Sequence, residues 1–161
     1  MMPNRGYDMT PTMYSPDGRI YQVEYALETV KRGTLAIGIM TKEGIVLAVE
    51  EKTRALQVEG ITQKIFQVDD HIGVAAAGYI PDARVQVDNA RYFSQSNKLT
   101  YDEPVDIETV AKHLADQNHQ FTQYSGVRPF GVALIIAGLD RKGVNVYVID
   151  PSGTYNSYSA I

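Results

Sequence analysis

The 161 residues include no cysteine. That excludes disulfides, zinc–thiolate sites and thiol nucleophiles, and it permits a reducing compartment. A basic stripe is also missing. Fifteen Lys+Arg stand against 19 Asp+Glu, a net charge of −4, which argues against nucleic acid as a partner. The opening MMPNRGYDMT lacks the apolar core of a secretory signal. The longest apolar run, GVALIIAG at 131–138, falls far short of the roughly 20 residues that cross a bilayer. There is no linker, repeat or low-complexity tract, and the glycines follow no phosphate-loop spacing. These absences predict a cytoplasmic protein without membrane or nucleic-acid partners.

Hydrophobic residues make up 44% of the chain and charged residues 21%, the balance of an ordinary globular protein. The length predicts one domain with a sizeable core. Residues 1–13 hold two prolines, a glycine and small polar side chains, and are expected to be irregular and mobile. Ser15-Pro16-Asp17-Gly18 fits a type I turn, with Pro second and Gly fourth. Ile20, Val23, Leu27 and Val30 then recur at helical spacing, closed by Lys31-Arg32-Gly33.

Strands are expected at 34–40 and 45–50, joined by Lys42-Glu43-Gly44, and at 64–68 and 72–78 around Asp69-Asp70-His71. Two helices follow. One runs from about Pro81 to Ser96. The other begins at Asp106 and carries the stripe Ile107, Val110, Ala111, Leu114 and Phe121. Strands are then expected at 131–138, 144–150 and 154–160. Short connections imply antiparallel pairing. Residues 34–40 and 131–138 are apolar on both alternating faces, so these strands should be covered on both sides. Two packed sheets between two helical layers would do this, but one helix pair covers only one sheet.

The stretch YDMTPTMYSPDGRIYQVEYALETVKRGTLAIGI resembles the N-terminal signature of proteasome α subunits, the archaeal type most closely. TQYSGVRPFGVALIIAG matches a second segment of that family. The resemblance runs from about Tyr7 to the end of the chain. It implies an α+β fold, the αββα sandwich of N-terminal-nucleophile hydrolases, with two antiparallel sheets between helical layers. Family chains continue past the position of Ile161 into further helices and strands, so one helical layer is expected to be missing here. Residues 1–13 would then be the gate segment and 14–161 a single, incomplete domain.

The resemblance further implies a non-catalytic subunit of the 20S core particle, with neither cofactor nor metal. Such subunits form a seven-membered ring with other α subunits, stack on proteasome β subunits, gate the entry of unfolded polypeptides and dock ATPase activators by their C-terminal tails. Tyr7, Asp8, Pro16 and Tyr25 match gate positions. Met9 and Leu27 depart, standing where arginine is usual. Gly33, Lys64, Gly78 and Tyr79 match the activator pocket, with Lys64 expected as an ammonium at the rim of a cleft. The chain is one residue shorter than usual in the 59–63 loop before it. Tyr124, Ser125, Gly126, Val127 and Arg128 match the pore annulus beneath the gate, with Ser125 in place of a second glycine.

A rival reading is catalytic. Gly33-Thr34 precedes a strand, as in β subunits, where cleavage frees a threonine whose amine serves as base for its own hydroxyl. Glu50 and Lys64 fall near the acid and lysine positions of that site. Catalysis would require loss of the whole turn and helix before Thr34. His113 and His119, six residues apart on a helix, do not share a face and make a poor metal pair. Asp69-Asp70-His71 reads as a polar turn.

Overall fold

The computed structural model describes residues 6–60 and 64–161. Residues 1–5 of the expected gate segment and residues 61–63 of the loop before Lys64 lie outside the described residues. Helix α1 (Tyr21–Lys31) comes first, then strands β1 (Ala36–Met40), β2 (Ile45–Val49), β3 (Ile65–Asp69) and β4 (Ile72–Gly78). Helices α2 (Ile80–Tyr101) and α3 (Ile107–Phe121) follow, then β5 (Val132–Asp140), β6 (Gly143–Ile149) and β7 (Tyr155–Ser157). The order of elements is the one the hydrophobic periodicity predicts.

All strand pairs are antiparallel. β1 and β2 form one sheet, and β3-β4-β5-β6-β7 form the other. β5 explains the doubly apolar pattern. Leu134 and Ile136 point into a core shared with Val87, Leu114 and Ile107 of α2 and α3. Ile135 and Ala137 point the other way, against Ala36, Met40 and Leu47 of the small sheet. Helices thus cover one face of the large sheet and β1–β2 covers the other. On the outer face of the small sheet, Ile39 sits opposite Val46, and the two are 44% and 58% exposed. This chain supplies no second helical layer over them among the described residues.

Two elements differ from expectation. α2 continues to Tyr101 rather than stopping near Ser96. Asn97, Lys98 and Leu99 sustain the helix, and it ends only at Asp102, in the left-handed region with φ 54°, two residues before Pro104. The strand expected at 154–160 divides. Residues 155–157 pair with β6, and the chain then crosses to the small sheet. Met40 donates its N–H to the Ser159 carbonyl at 2.8 Å, and Gly38 and Ile161 exchange hydrogen bonds at 2.7 and 2.9 Å.

Candidate functional site

The site begins at the turn before α1. Gly18 donates its N–H to the Ser15 carbonyl at 2.9 Å, which closes the expected turn with Pro16 at its exposed second position. Arg19 then forks onto Glu24, with Nε to Oε1 at 2.7 Å. That contact fixes the turn against the first helical turn with a charge-assisted pair. The tail folds back on the same helix. Tyr25 donates its hydroxyl to an Asp8 carboxylate oxygen at 3.3 Å, and the Gln22 amide donates to the Asp8 carbonyl. Tyr7 is half-buried beside it, Met9 is exposed and Leu27 is half-buried. Two of the four expected gate residues, Asp8 and Tyr25, therefore meet within one chain, Tyr7 adjoins Asp8 in sequence, and Pro16 holds the turn leading to the helix.

The expected pocket residues gather around the Gly33–Thr34 peptide. A Cβ at Gly33 would lie 2.4 Å from the Gly78 nitrogen, and one at Gly78 would lie 2.4 Å from the Gly131 carbonyl oxygen. Gly78 also has φ +120°, a conformation that disfavours any side chain. Only glycines let the end of α1 sit this close to β4 and the start of β5. Tyr79 continues the contact, donating its N–H to the Gly131 carbonyl at 2.8 Å.

Lys64, expected as an ammonium at the rim of a cleft, is 5% exposed in this chain. Its Nζ donates to the Thr34 hydroxyl at 2.6 Å and to the carbonyls of Thr34, Leu35 and Glu50 at 2.9, 3.0 and 3.1 Å. Burial pushes its pKa below the ordinary value, opposed by the nearby carboxylates of Glu51 and Glu50. The oxygen-rich cage accounts for a buried ammonium, because a charge out of water needs such partners. Thr34 Oγ1 in turn donates to the Glu50 carbonyl at 2.6 Å.

Residues 124–128 are exposed on the way from α3 to β5. Gly126, at φ +85°, makes the bend. Arg128 anchors the end of the loop. Its guanidinium forks onto Asp82 at 2.7 and 2.8 Å and lies 5.6 Å above the Tyr79 ring. Asp82 stands in the first turn of α2 and also accepts the Gly131 N–H at 2.9 Å. Burial works to raise its pKa, but these hydrogen bonds and the Arg128 charge outweigh burial and hold the carboxyl below its ordinary value. Sequence reasoning missed Asp82. Its signal was there, an acid directly after Pro81 at a helix start, but nothing in the sequence pairs it with a residue 46 positions later.

A cleft of about 350 Å³ joins the groups. Gln22, Tyr25 and Thr29 of α1 face Tyr79, Arg128 and Gly131 across it. Tyr25 of the expected gate, Tyr79 of the expected docking pocket and Arg128 of the expected annulus thus line one cleft, whereas Gly33, Lys64 and Gly78 do not line it. The Asp69-Asp70-His71 turn belongs to neither group. Asp69 accepts from Ser94 at 2.7 Å, and His71 Nε2 pairs with the Val105 carbonyl at 2.8 Å. Both contacts pin the turn to the α2–α3 region.

Two antiparallel sheets face to face, with a helix pair on one side and a threonine at the head of the first strand, define the sandwich of the N-terminal-nucleophile hydrolase type. The proteasome subunit family profile matches residues 30–161, and the N-terminal signature of A-type proteasome subunits matches residues 7–28. The chain is 49% identical to the proteasome alpha subunit of Methanosarcina barkeri over 162 residues, covering 99% of this chain and 65% of that protein. It is also 49% identical to the proteasome alpha subunit of Halobacterium salinarum, covering 98% and 62%. For that of Archaeoglobus fulgidus the figures are 49% identity, 99% and 65%. The chain belongs to the proteasome subunit family, in its archaeal alpha type, and spans a little under two thirds of the length of these relatives.

Proposed function

We propose that this chain belongs to a non-catalytic α subunit of a cytoplasmic 20S core particle, assembled in a seven-membered ring on proteasome β subunits. The observation that carries the reading is the seating of Asp8 on Gln22 and Tyr25. A tail anchored at the base of its first helix can be held in one place by the ring and released in another. In this reading residues 1–13 gate the pore and residues 124–128 narrow it beneath the gate. Gly33, Lys64, Gly78 and Tyr79 receive the C-terminal tail of an ATPase activator. Lys64 takes part by exchanging one of its carbonyl acceptors for the tail carboxylate, a charge-assisted bond. Unfolded polypeptides pass through to the β subunits. Electron microscopy of the full-length protein tests the assembly, and a particle without sevenfold rings would sink the proposal.

One observation favours a second reading, a threonine hydrolase. Lys64 Nζ lies 2.6 Å from Thr34 Oγ1, an ammonium on a hydroxyl at the head of β1. In this chain the Thr34 nitrogen is locked in a peptide bond and cannot act as base. N-terminal sequencing of the full-length protein separates the two readings, because a chain starting at Thr34 supports the hydrolase and an intact N-terminus supports the α subunit.

A further inference from the structure

Asp82 and Arg128 form a bidentate pair with an unequal burial. The Arg128 side chain is 60% exposed and that of Asp82 only 10%. The carboxylate is therefore fixed in the body of the protein and the guanidinium is what it holds. Asp82 sits at a helix N-terminus, where negative charge is favoured, and the same oxygen that takes Arg128 Nη1 takes the Gly131 N–H. One carboxylate thus grips both the end of the loop and the start of β5.

The rest of the loop has little else to hold it. Among the described residues, no side chain from 124 to 127 makes a hydrogen bond, and Tyr124 is 60% exposed. Its entry is set by the end of α3, where Thr122 donates to the His119 carbonyl at 2.7 Å. Its exit is set by Phe130, stacked on Phe121 with centroids 4.5 Å apart. Between these fixed points, the Arg128–Asp82 fork is the side-chain contact that sets the path of the loop. A forked pair fixes direction as well as distance.

We infer that Asp82 is a positioning residue for the 124–128 loop, holding it through Arg128 at a set height and width in the pore. The inference rests on the reading of that loop as the constriction beneath the gate. Seven loops free to sweep would obstruct a long chain, which must stay threaded throughout its passage. A short peptide can slip past in a single fluctuation.

The test uses full-length subunits assembled with their β partner and lacking residues 2–12, so that the gate does not contribute. The readout is the rate of casein degradation relative to hydrolysis of a fluorogenic tetrapeptide. Asp82→Asn and Arg128→Lys are each expected to lower that ratio by about threefold, a size typical of coupling through an intermediary residue. Tyr124→Ala serves as a control on the loop itself. If it changes the ratio and Arg128→Lys leaves it as in the parent, Asp82 does not position the loop and the inference falls alone. If neither variant changes the ratio, the constriction reading falls and takes the inference with it. Arg128→Lys decides the matter should Asp82→Asn particles fail to assemble, because the arginine is largely exposed. A loss of thermal stability with an unchanged ratio would mark the pair as structural only and overturn the inference.

Discussion

Lys64 Nζ donates to Thr34 Oγ1 across 2.6 Å, although the two residues stand 30 positions apart in the chain. The contact turns a residue that looks like a surface ammonium into an internal tie between the two sheets.

Lys64→Met should therefore weaken folding as well as activator docking. The substitution keeps the length of the stem and strands the Thr34 carbonyl, while the Leu35 and Glu50 carbonyls keep the Glu50 N–H and the Thr34 hydroxyl as donors. Leaving a buried acceptor unsatisfied costs about 1–3 kcal/mol. Differential scanning calorimetry of the full-length subunit should show a lower Tm, together with reduced stimulation by an activator. An unchanged Tm would mean that the cage contributes no net stability.

The pH dependence of stability should have a contribution from His113, whose ring stacks on Phe93 with centroids 4.0 Å apart. Burial is the larger influence and lowers its pKa below the ordinary 6.5, with Asp116 opposing. The unfolded chain then takes up the proton more readily than the folded one. Stability should fall as the pH drops from about 6.5 through the lower folded value, and level off beneath it. Thermal melts at about pH 7.5 and about pH 5.5 should separate the wild type by more than His113→Phe. Equal separation in both proteins would show that His113 titrates alike in the two states.

Deleting residues 2–12 of the full-length subunit should raise the unstimulated rate of peptide hydrolysis by assembled particles. Asp8→Ala should lower the activator-stimulated rate, because it removes the carboxylate that accepts from Tyr25, and Tyr7→Ala, at the expected gate position beside it, should act in the same direction. A deletion that leaves the unstimulated rate where it was would remove the gate from the proposal.

The 161-residue chain on its own should self-associate through the outer face of β1–β2. Large exposed apolar patches promote association, and Ile39 lies directly opposite Val46 on that face. Ile39→Lys with Val46→Lys should shift the chain toward monomer in analytical ultracentrifugation. Lysine on a strand surface opposes edge and face pairing. A wild-type chain that sediments as a monomer would contradict this expectation.

Much of the sandwich could be read from the sequence because burial on two faces leaves a local trace. β5 is apolar at Leu134 and Ile136 as well as at Ile135 and Ala137, and both sets are buried in opposite cores. The Ser15–Gly18 turn was equally plain, since Pro and Gly occupy positions with fixed backbone demands. The sequence did not reveal contacts that depend on tertiary approach. Lys64 reads as polar and therefore exposed until Thr34, Leu35 and Glu50 are brought around it. The crossing of residues 158–161 from one sheet to the other leaves no trace in a run of Ser, Tyr and Ala, because backbone hydrogen bonds carry it.

That crossing closes one side of the sandwich, where β1 lies over β4, β5 and β6. Main-chain bonds between Gly38 and Ile161 and between Met40 and Ser159 act there as the spine of a book. At the other end of the small sheet, where β1 begins and β2 has ended, the Lys64 ammonium ties Thr34, Leu35 and Glu50 to the start of β3, acting as a latch. A spine of peptide groups tolerates almost any change of side chain or pH, whereas a latch made of one side chain does not. When the sheets part, they should part at the latch first and swing on the spine, so that the Thr34 end of the small sheet is the page that opens.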